Sequence, residues 1–419
     1  MRRFQGVVWA VVVIGLVGCG APVKSSDPLT LAELEKMAPD LVSTVDDAET
    51  RRRDAELTQL SMGFQVDLEA LRKARPGNPR RAKLEAEVTR FLDQAEELIQ
   101  PEWKQTRHYN YAGYWKTAAV LADVNSATYQ AKERIRANEL SLELCRRKLR
   151  ASSGNTELRE ILRVFAFSGQ KVLDSIPNTA RREEELRIYL DSLPQAGDFR
   201  NAHRQSAAVT WHAWDSGVFI EPGAAPFQDY RLLPGALDDH LNLRATAKLF
   251  IEAHRKDIRA AEEGRTFTVE SVQKLIGVAP EERLLSDELD PIRPATAEKL
   301  KAWAQKMPGN STGEFFFREN FAPMSGAVLR AEAQLAILRG ALATMISLDR
   351  GDMPESWEDL VADGLLEAVP LDPWTRQPLS ADFPAGKIWC PSVPIDRNRP
   401  LDSLENGLVQ ISGFRRRNR

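Results

Sequence analysis

A mainly α-helical protein, arranged as an irregular antiparallel array or bundle with a small, partly β, Pro-rich C-terminal tail, is predicted by three observations. Apolar residues recur at steps of three and four through most of the chain. Gly, Pro and capping residues separate those periodic runs. Beyond Gly351 prolines crowd the sequence and the runs become short. With 43% apolar residues in a chain of 419, there is ample material for an extended core.

Taken in order, residues 29–75 read as one or two charged helices stopped by Pro76-Gly77, and 80–99 as a second ending at Pro101. An aromatic cluster follows: Trp103, Tyr109, Tyr111, Tyr114 and Trp115. Together with Trp211 and Trp214, these rings could line a sugar or peptide groove, but aromatic stripes at this spacing more often pack into a core. Ile135, Leu142, Cys145 and Leu149 share one helical face, while Glu143 and Arg147 pair at i,i+4 on another. Gly154 stops that helix, and Asn155 or Thr156 can cap the next. The clearest stripe comes next, with Leu158, Ile161, Leu162, Phe165, Val172, Leu173 and Ile176, closed by Pro177. Residues 181–193 repeat the form with Leu186, Tyr189, Leu190 and Leu193, closed by Pro194. Short connections make antiparallel neighbours the default.

Residues 218–234, rich in Gly, Pro and aromatics (Gly223, Pro226, Phe227, Tyr230), read as a loop. A long helix at 237–263 carries Leu243, Ala247, Phe250, Ile251, His254 and Ile258 on one side. Residues 281–317 are mixed and acidic, and 320–348 are helical again, with Leu335, Leu338, Leu342 and Met345 in register. Strand-like pieces occur at 387–390 and 408–411. The expected organisation is therefore 29–217 as an N-terminal helical region, 218–319 as loop, long helix and acidic segment, and 320–419 as a long helix with its tail.

The first nineteen residues carry a separate signal. Met1-Arg2-Arg3 is positive and 7–17 is an almost unbroken apolar run, too short to cross a bilayer, which needs roughly 20 residues. It ends in Leu16-Val17-Gly18-Cys19, which resembles the bacterial lipobox. That resemblance implies diacylglycerol on the Cys19 thiol, cleavage before it and acylation of the new N-terminus. Residues 1–18 are then a lipoprotein signal peptide and 19–28 a flexible tether. Two or three acyl chains hold a protein stably, each buried CH₂ adding about 0.8 kcal/mol. Gly20 after the cysteine, by resemblance to the lipoprotein sorting rule, favours the outer over the inner membrane. The expected setting is the cell envelope, facing the periplasm. No second segment after Val17 reads as apolar over 18 residues.

Net charge is −3, from 57 basic and 60 acidic residues. A near-neutral, mixed surface excludes the concentrated basic footprint of a nucleic-acid binder. The run Arg415-Arg416-Arg417 with Arg419 reads as a solvated tail. An oxidising compartment would allow Cys145 and Cys390 to pair, although Cys145, on an apolar stripe, reads as a small buried hydrophobe.

Catalytic signals are weak. His108, His203, His212, His240 and His254 make no metal-ligand spacing, and neither a metal nor another cofactor is expected. His254 falls on an apolar stripe and reads as a core residue. Ser271-Val272-Gln273-Lys274 matches S-x-x-K without its Lys-Thr-Gly and Ser-x-Asn partners and reads as a surface helix turn. Gly309-Asn310-Ser311-Thr312-Gly313 lacks the lysine of a phosphate loop. Asp238-Asp239 are adjacent on a helix and do not face each other.

The C-terminal region carries a second resemblance. Helix 335–348, then Gly351, Pro354, Trp357, Leu360-Val361, Leu365 and the run Pro370-Leu371-Asp372-Pro373-Trp374 resemble the end of the long helix and the start of the head in pseudopilin-type sequences. The same run occurs in a group of exported, mostly helical bacterial proteins common among planctomycetes, which this chain resembles. In physical terms Gly351 can end the helix in a left-handed conformation and Pro354 prevents its resumption. Asp372 before Pro373 sets a turn, and Trp374 can anchor a small core. Pseudopilins begin with an apolar assembly helix, where this chain has a lipobox. The leading expectation is a non-catalytic envelope scaffold or binding module held by the membrane through its lipid. The alternatives are an accessory component of a type II secretion or type IV pilus-like machine, with envelope or secretion proteins as partners, and an enzyme acting on cell wall or glycan. The tail is expected to dock on the long helix, with Leu342, Met345, Trp357 and Trp374 in one cluster.

Overall fold

The computed structural model describes residues 33, 36–39, 47–75, 77–104, 111–127, 131–151, 155–176, 183–215, 243–276, 317, 321–395 and 403–411. Cys19 and its tether, His108, His240, Asp238-Asp239, the 218–234 segment and the Gly309–Gly313 run lie outside them. Helix makes up 70% and strand 4% of the described residues, so the fold is mainly α with a small antiparallel sheet near the C-terminus.

The helices are α1 (Ala48–Gly63), α2 (Leu68–Lys73), α3 (Pro79–Ile99), α4 (Tyr111–Ala127), α5 (Ala131–Ala151), α6 (Asn155–Ser175), α7 (Glu183–Ser192), α8 (Ala196–Asp215), α9 (Leu243–Glu262), α10 (Val269–Ile276), α11 (Ser325–Arg350) and α12 (Trp357–Ala362). Local chemistry accounts for their starts. Asp47 and Asp67 accept the backbone N–H groups of Thr50 and Ala70, Asn78 caps α3 ahead of Pro79 at its first position, and Ser356 and Asp359 form a reciprocal capping box on α12.

Two helices organise the packing. α5 lies against α3, α4, α6, α7 and α8, and α11 lies against α6, α7, α8, α9 and the tail. One continuous apolar core runs from Leu57 to Ile411 through both. A smaller aromatic core gathers Phe250, Phe317 and Phe321 with Ala247, Ile251 and Val272 around α9 and α10. The predicted stripe of α6 is buried at Leu158, Ile161, Phe165 and Val172, and that of α7 at Leu186 and Tyr189.

Three features depart from the sequence reading. Helix α8 was not marked by apolar periodicity, because its buried face is Phe199, Ala202, His203 and Ser206, with His and Ser standing where apolar residues would reveal the period. Helix α11 begins at Ser325 rather than 320, after Pro323, and runs on to Arg350. It also contains an 18-residue window apolar enough to cross a membrane, mean hydropathy 1.2, contrary to the expectation of no such segment after Val17. The reason is that α11 is a core helix: 78% of that window is buried inside the protein, so apolar residues extend around most of its circumference.

The tail is built on α11. Gly351, with φ of 93°, ends the helix in the left-handed conformation, and its N–H returns to the carbonyls of Leu348 and Ser347. Pro354 is buried, and the Trp357 ring lies over Gly340 of α11, its indole N–H donating to the Leu379 carbonyl at 2.8 Å. Strands β1 (Ser380–Asp382), β2 (Lys387–Trp389) and β3 (Leu408–Gln410) form a three-stranded antiparallel sheet in the order β1-β2-β3. Its register pairs Ala381 with Ile388 and Ile388 with Val409. Ile388 and Val409 point into the core, and Phe383 meets Trp357 edge-on at 5.0 Å.

Candidate functional site

Lys148 of α5 is 2% exposed and lies 2.8 Å from Asp54 of α1 and 3.6 Å from Glu157 of α6. Its ammonium faces the rings of Trp103 and Tyr114 at 5.5 and 5.8 Å. Burial pulls its pKa down, but the two carboxylates more than offset this and leave it raised. It is a fixed cation joining helices, not an amine nucleophile. Trp103 and Tyr114 are core residues and Trp115 is half-buried, donating to Glu160 at 2.7 Å. Cys145 and Cys390 are free and buried, and burial pushes each thiol up to about 12. They do not pair with each other, and neither is a ready thiolate.

His203 of α8 and Asp257 of α9 meet at 2.9 Å, fully buried. Asp257 also accepts the backbone N–H groups of Met324 at 2.7 Å and Ser325 at 3.0 Å, so it caps α11, which has no side-chain cap of its own. Burial raises its pKa, but these donors together lower it. His254 sits edge-on to Phe321 at 5.0 Å, and burial lowers it to about 4. The Ser271–Lys274 motif lies on α10 with Lys274 exposed, and Ser271 is occupied in the first-turn contacts of Thr268. Among the described residues no three His, Cys, Asp or Glu side chains converge as a metal site.

The residues marked in the tail divide into two groups. Gly351, Pro354 and Trp357 belong to the helix stop and the packing on α11. Asp372, Pro373 and Trp374 form a tight loop that reaches across to the α9–α10 connection. Asp372 is a turn residue: its Oδ1 accepts from the Trp374 N–H at 2.8 Å and the Thr375 N–H at 3.3 Å, and its Oδ2 from Ser392 at 2.5 Å. Burial raises Asp372, and these donors together bring it below the usual carboxylate range. The carbonyls of Pro373 and Trp374 press on Gly264, where a Cβ would stand 2.6 and 2.9 Å away, and Gly264 has φ of 72°. Only glycine satisfies both conditions there. Arg376, at φ of 60°, donates to the Glu262 carbonyl at the end of α9. Leu342, Met345, Trp357 and Trp374 thus share one cluster as expected, with Leu342 and Trp357 inside it and Met345 and Trp374 half-buried against its edge, so Trp374 is a border residue and not the anchor of a separate small core.

Trp374 instead borders a groove of about 500 Å³ between α6, α11, the α9–α10 connection and the tail. Helix α6 contributes Arg159, Leu162, Arg163 and Ala166, and α11 contributes Gly326, Ala327, Arg330 and Gln334, both sets at i, i+3/i+4, i+7/i+8 spacing. Thr266, Pro394 and Glu405 complete the lining. Arg163 is paired with Glu160 at 2.7 Å. Among the described residues no carboxylate pairs with Arg159, whose guanidinium reaches only the Met324 sulfur at 3.9 Å, or with Arg330. Gln334 is 4% exposed, lines the groove and makes no hydrogen bond to any described residue. Sequence reading missed these three side chains because the groove exists only where α6 meets a helix far along the chain. The one signal in the sequence concerns Arg159, a polar residue flanking the α6 stripe. Comparison with protein families, curated proteins and solved structures finds no match.

Proposed function

We propose that this chain is a lipid-anchored cell-envelope protein, tethered through Cys19, that works as a binding or scaffold module and presents the α6–α11 groove to its ligand. The anchor rests on the lipobox-like run at 16–19. The binding role rests on one observation: the groove is flanked by Arg159 and Arg330, neither with a carboxylate partner among the described residues, and is lined between them by Gln334, which makes no hydrogen bond to a described residue. Metabolic labelling with a fatty-acid analogue is expected to mark the wild type and not Cys19→Ala; equal labelling of both would refute the anchor.

A second reading, an accessory component of a type II secretion or type IV pilus-like machine, draws support from the order of long helix, Gly351 stop, short helix and antiparallel sheet. α11 already packs on α6 to α9 and the tail, with 78% of its apolar window buried, so little of its surface is left for helical polymerisation. This reading expects secretion-machine subunits to co-purify with the wild type and to be lost with Trp374→Ser/Arg376→Ser. An unchanged partner set would count against it.

A further inference from the structure

We propose that the α6–α11 groove binds a small ligand bearing an oxyanion, carboxylate or phosphate, held between Arg159 and Arg330 with the Gln334 amide beneath and the Trp374 ring at its border. This rests on reading the groove as the binding face and adds the chemical class of the ligand.

The groove sets the size, since about 500 Å³ falls within the range of small-molecule sites. Its described lining sets the charge: among those residues three arginines stand against one carboxylate, Glu405. Arg163 is already committed to Glu160, which leaves Arg159 and Arg330, one from each wall, without a carboxylate among the described residues. Guanidinium is the side chain best matched to the planar or tetrahedral fork of carboxylate and phosphate. Gln334 offers both an N–H donor and a carbonyl acceptor, so it can also hold a hydroxyl or amide next to the anion. Small residues at Gly326, Ala327 and Ala166 keep the floor open.

The lipid-free Cys19→Ala protein, residues 19–419, should be titrated by calorimetry with inorganic phosphate, glucuronate and the dipeptide Glu-Glu, using glucose as the neutral control. At least one anion is expected to bind, with affinity falling as salt is raised. Arg330→Gln and Arg159→Gln should each weaken it about tenfold, the worth of one charge-assisted hydrogen bond. Gln334→Leu should weaken binding as well while leaving the melting temperature unchanged or higher. A purely structural glutamine would instead lower it. No anion binding up to about 10 mM, or binding indifferent to both arginine substitutions, overturns the proposal. Glucose binding equal to glucuronate, with sensitivity to Gln334→Leu, overturns the oxyanion assignment but keeps the groove as the binding face. Phosphate against glucuronate and dipeptide separates the sources of the anion.

Discussion

Lys148 joins helices α1, α5 and α6 through a single buried ammonium, and its value lies in what its loss would leave behind. Lys148→Met strands Asp54, which is 5% exposed, without its cation. A cost of about 3–5 kcal/mol is expected from the denaturation midpoint. Adding Asp54→Leu should recover part of that cost, a non-additivity that a double-mutant cycle would register. His254 gives the protein an acid sensitivity of known sign. Burial holds its pKa at about 4 against an ordinary value of 6.5, with Asp257 pulling it up and His203 pushing it down. Between those values the unfolded chain takes up a proton that the folded protein refuses, so stability falls as pH drops from 6.5 towards 4. The loss is about 2 kcal/mol by pH 5 relative to pH 7. His254→Leu should flatten that part of the stability–pH curve, and an unchanged slope would show that another group carries it.

At the level of elements, α11 and the tail depend on contacts made by other helices. Removing the Asp257 cap with Asp257→Ala takes away two backbone partners and leaves His203 buried beside a void. Thermal denaturation should show a cost of about 2–4 kcal/mol. The two tail tryptophans should differ in the same assay. Trp357→Ala opens a cavity over Gly340 and should cost about 3–5 kcal/mol. Trp374→Ala removes a half-buried ring and should cost about 1–2 kcal/mol; equal losses would contradict the placement of Trp374 at the edge. What was legible in the sequence follows the same logic. Stripes such as Leu158–Phe165, the Gly351 stop, the Asp372 turn and the strand pieces at 387–390 and 408–411 are local, set by spacing and backbone preference. Helix α8 was hidden because its inner face is made of His203 and Ser206 as much as of Phe199. Strand β1, Ser380–Asp382, carries no β-branched residue and gains its place only from pairing with β2. The groove was illegible because Arg159 and Arg330 become neighbours only through the packing of α6 on α11.

At the scale of the molecule, α11 is largely buried and is made after α6 to α9, on which it packs. Its side chains fill the space between α6, α7, α8 and α9, and Arg350 and Asp349 at its far end pair with the start of α7 more than 160 residues earlier in the chain. Contacts of such separation form late, because the intervening chain must first be brought together. A chain emerging from its N-terminus therefore presents α6 to α8 with their inner faces uncovered until α11 arrives. Fragments ending before Ser325 should be collapsed and dye-binding, with near-native helix content but poor near-ultraviolet dichroism, and should tighten when the remainder is supplied. The long apolar helix thus sets a schedule: the nascent protein is expected to stay loose and sticky until α11 is delivered.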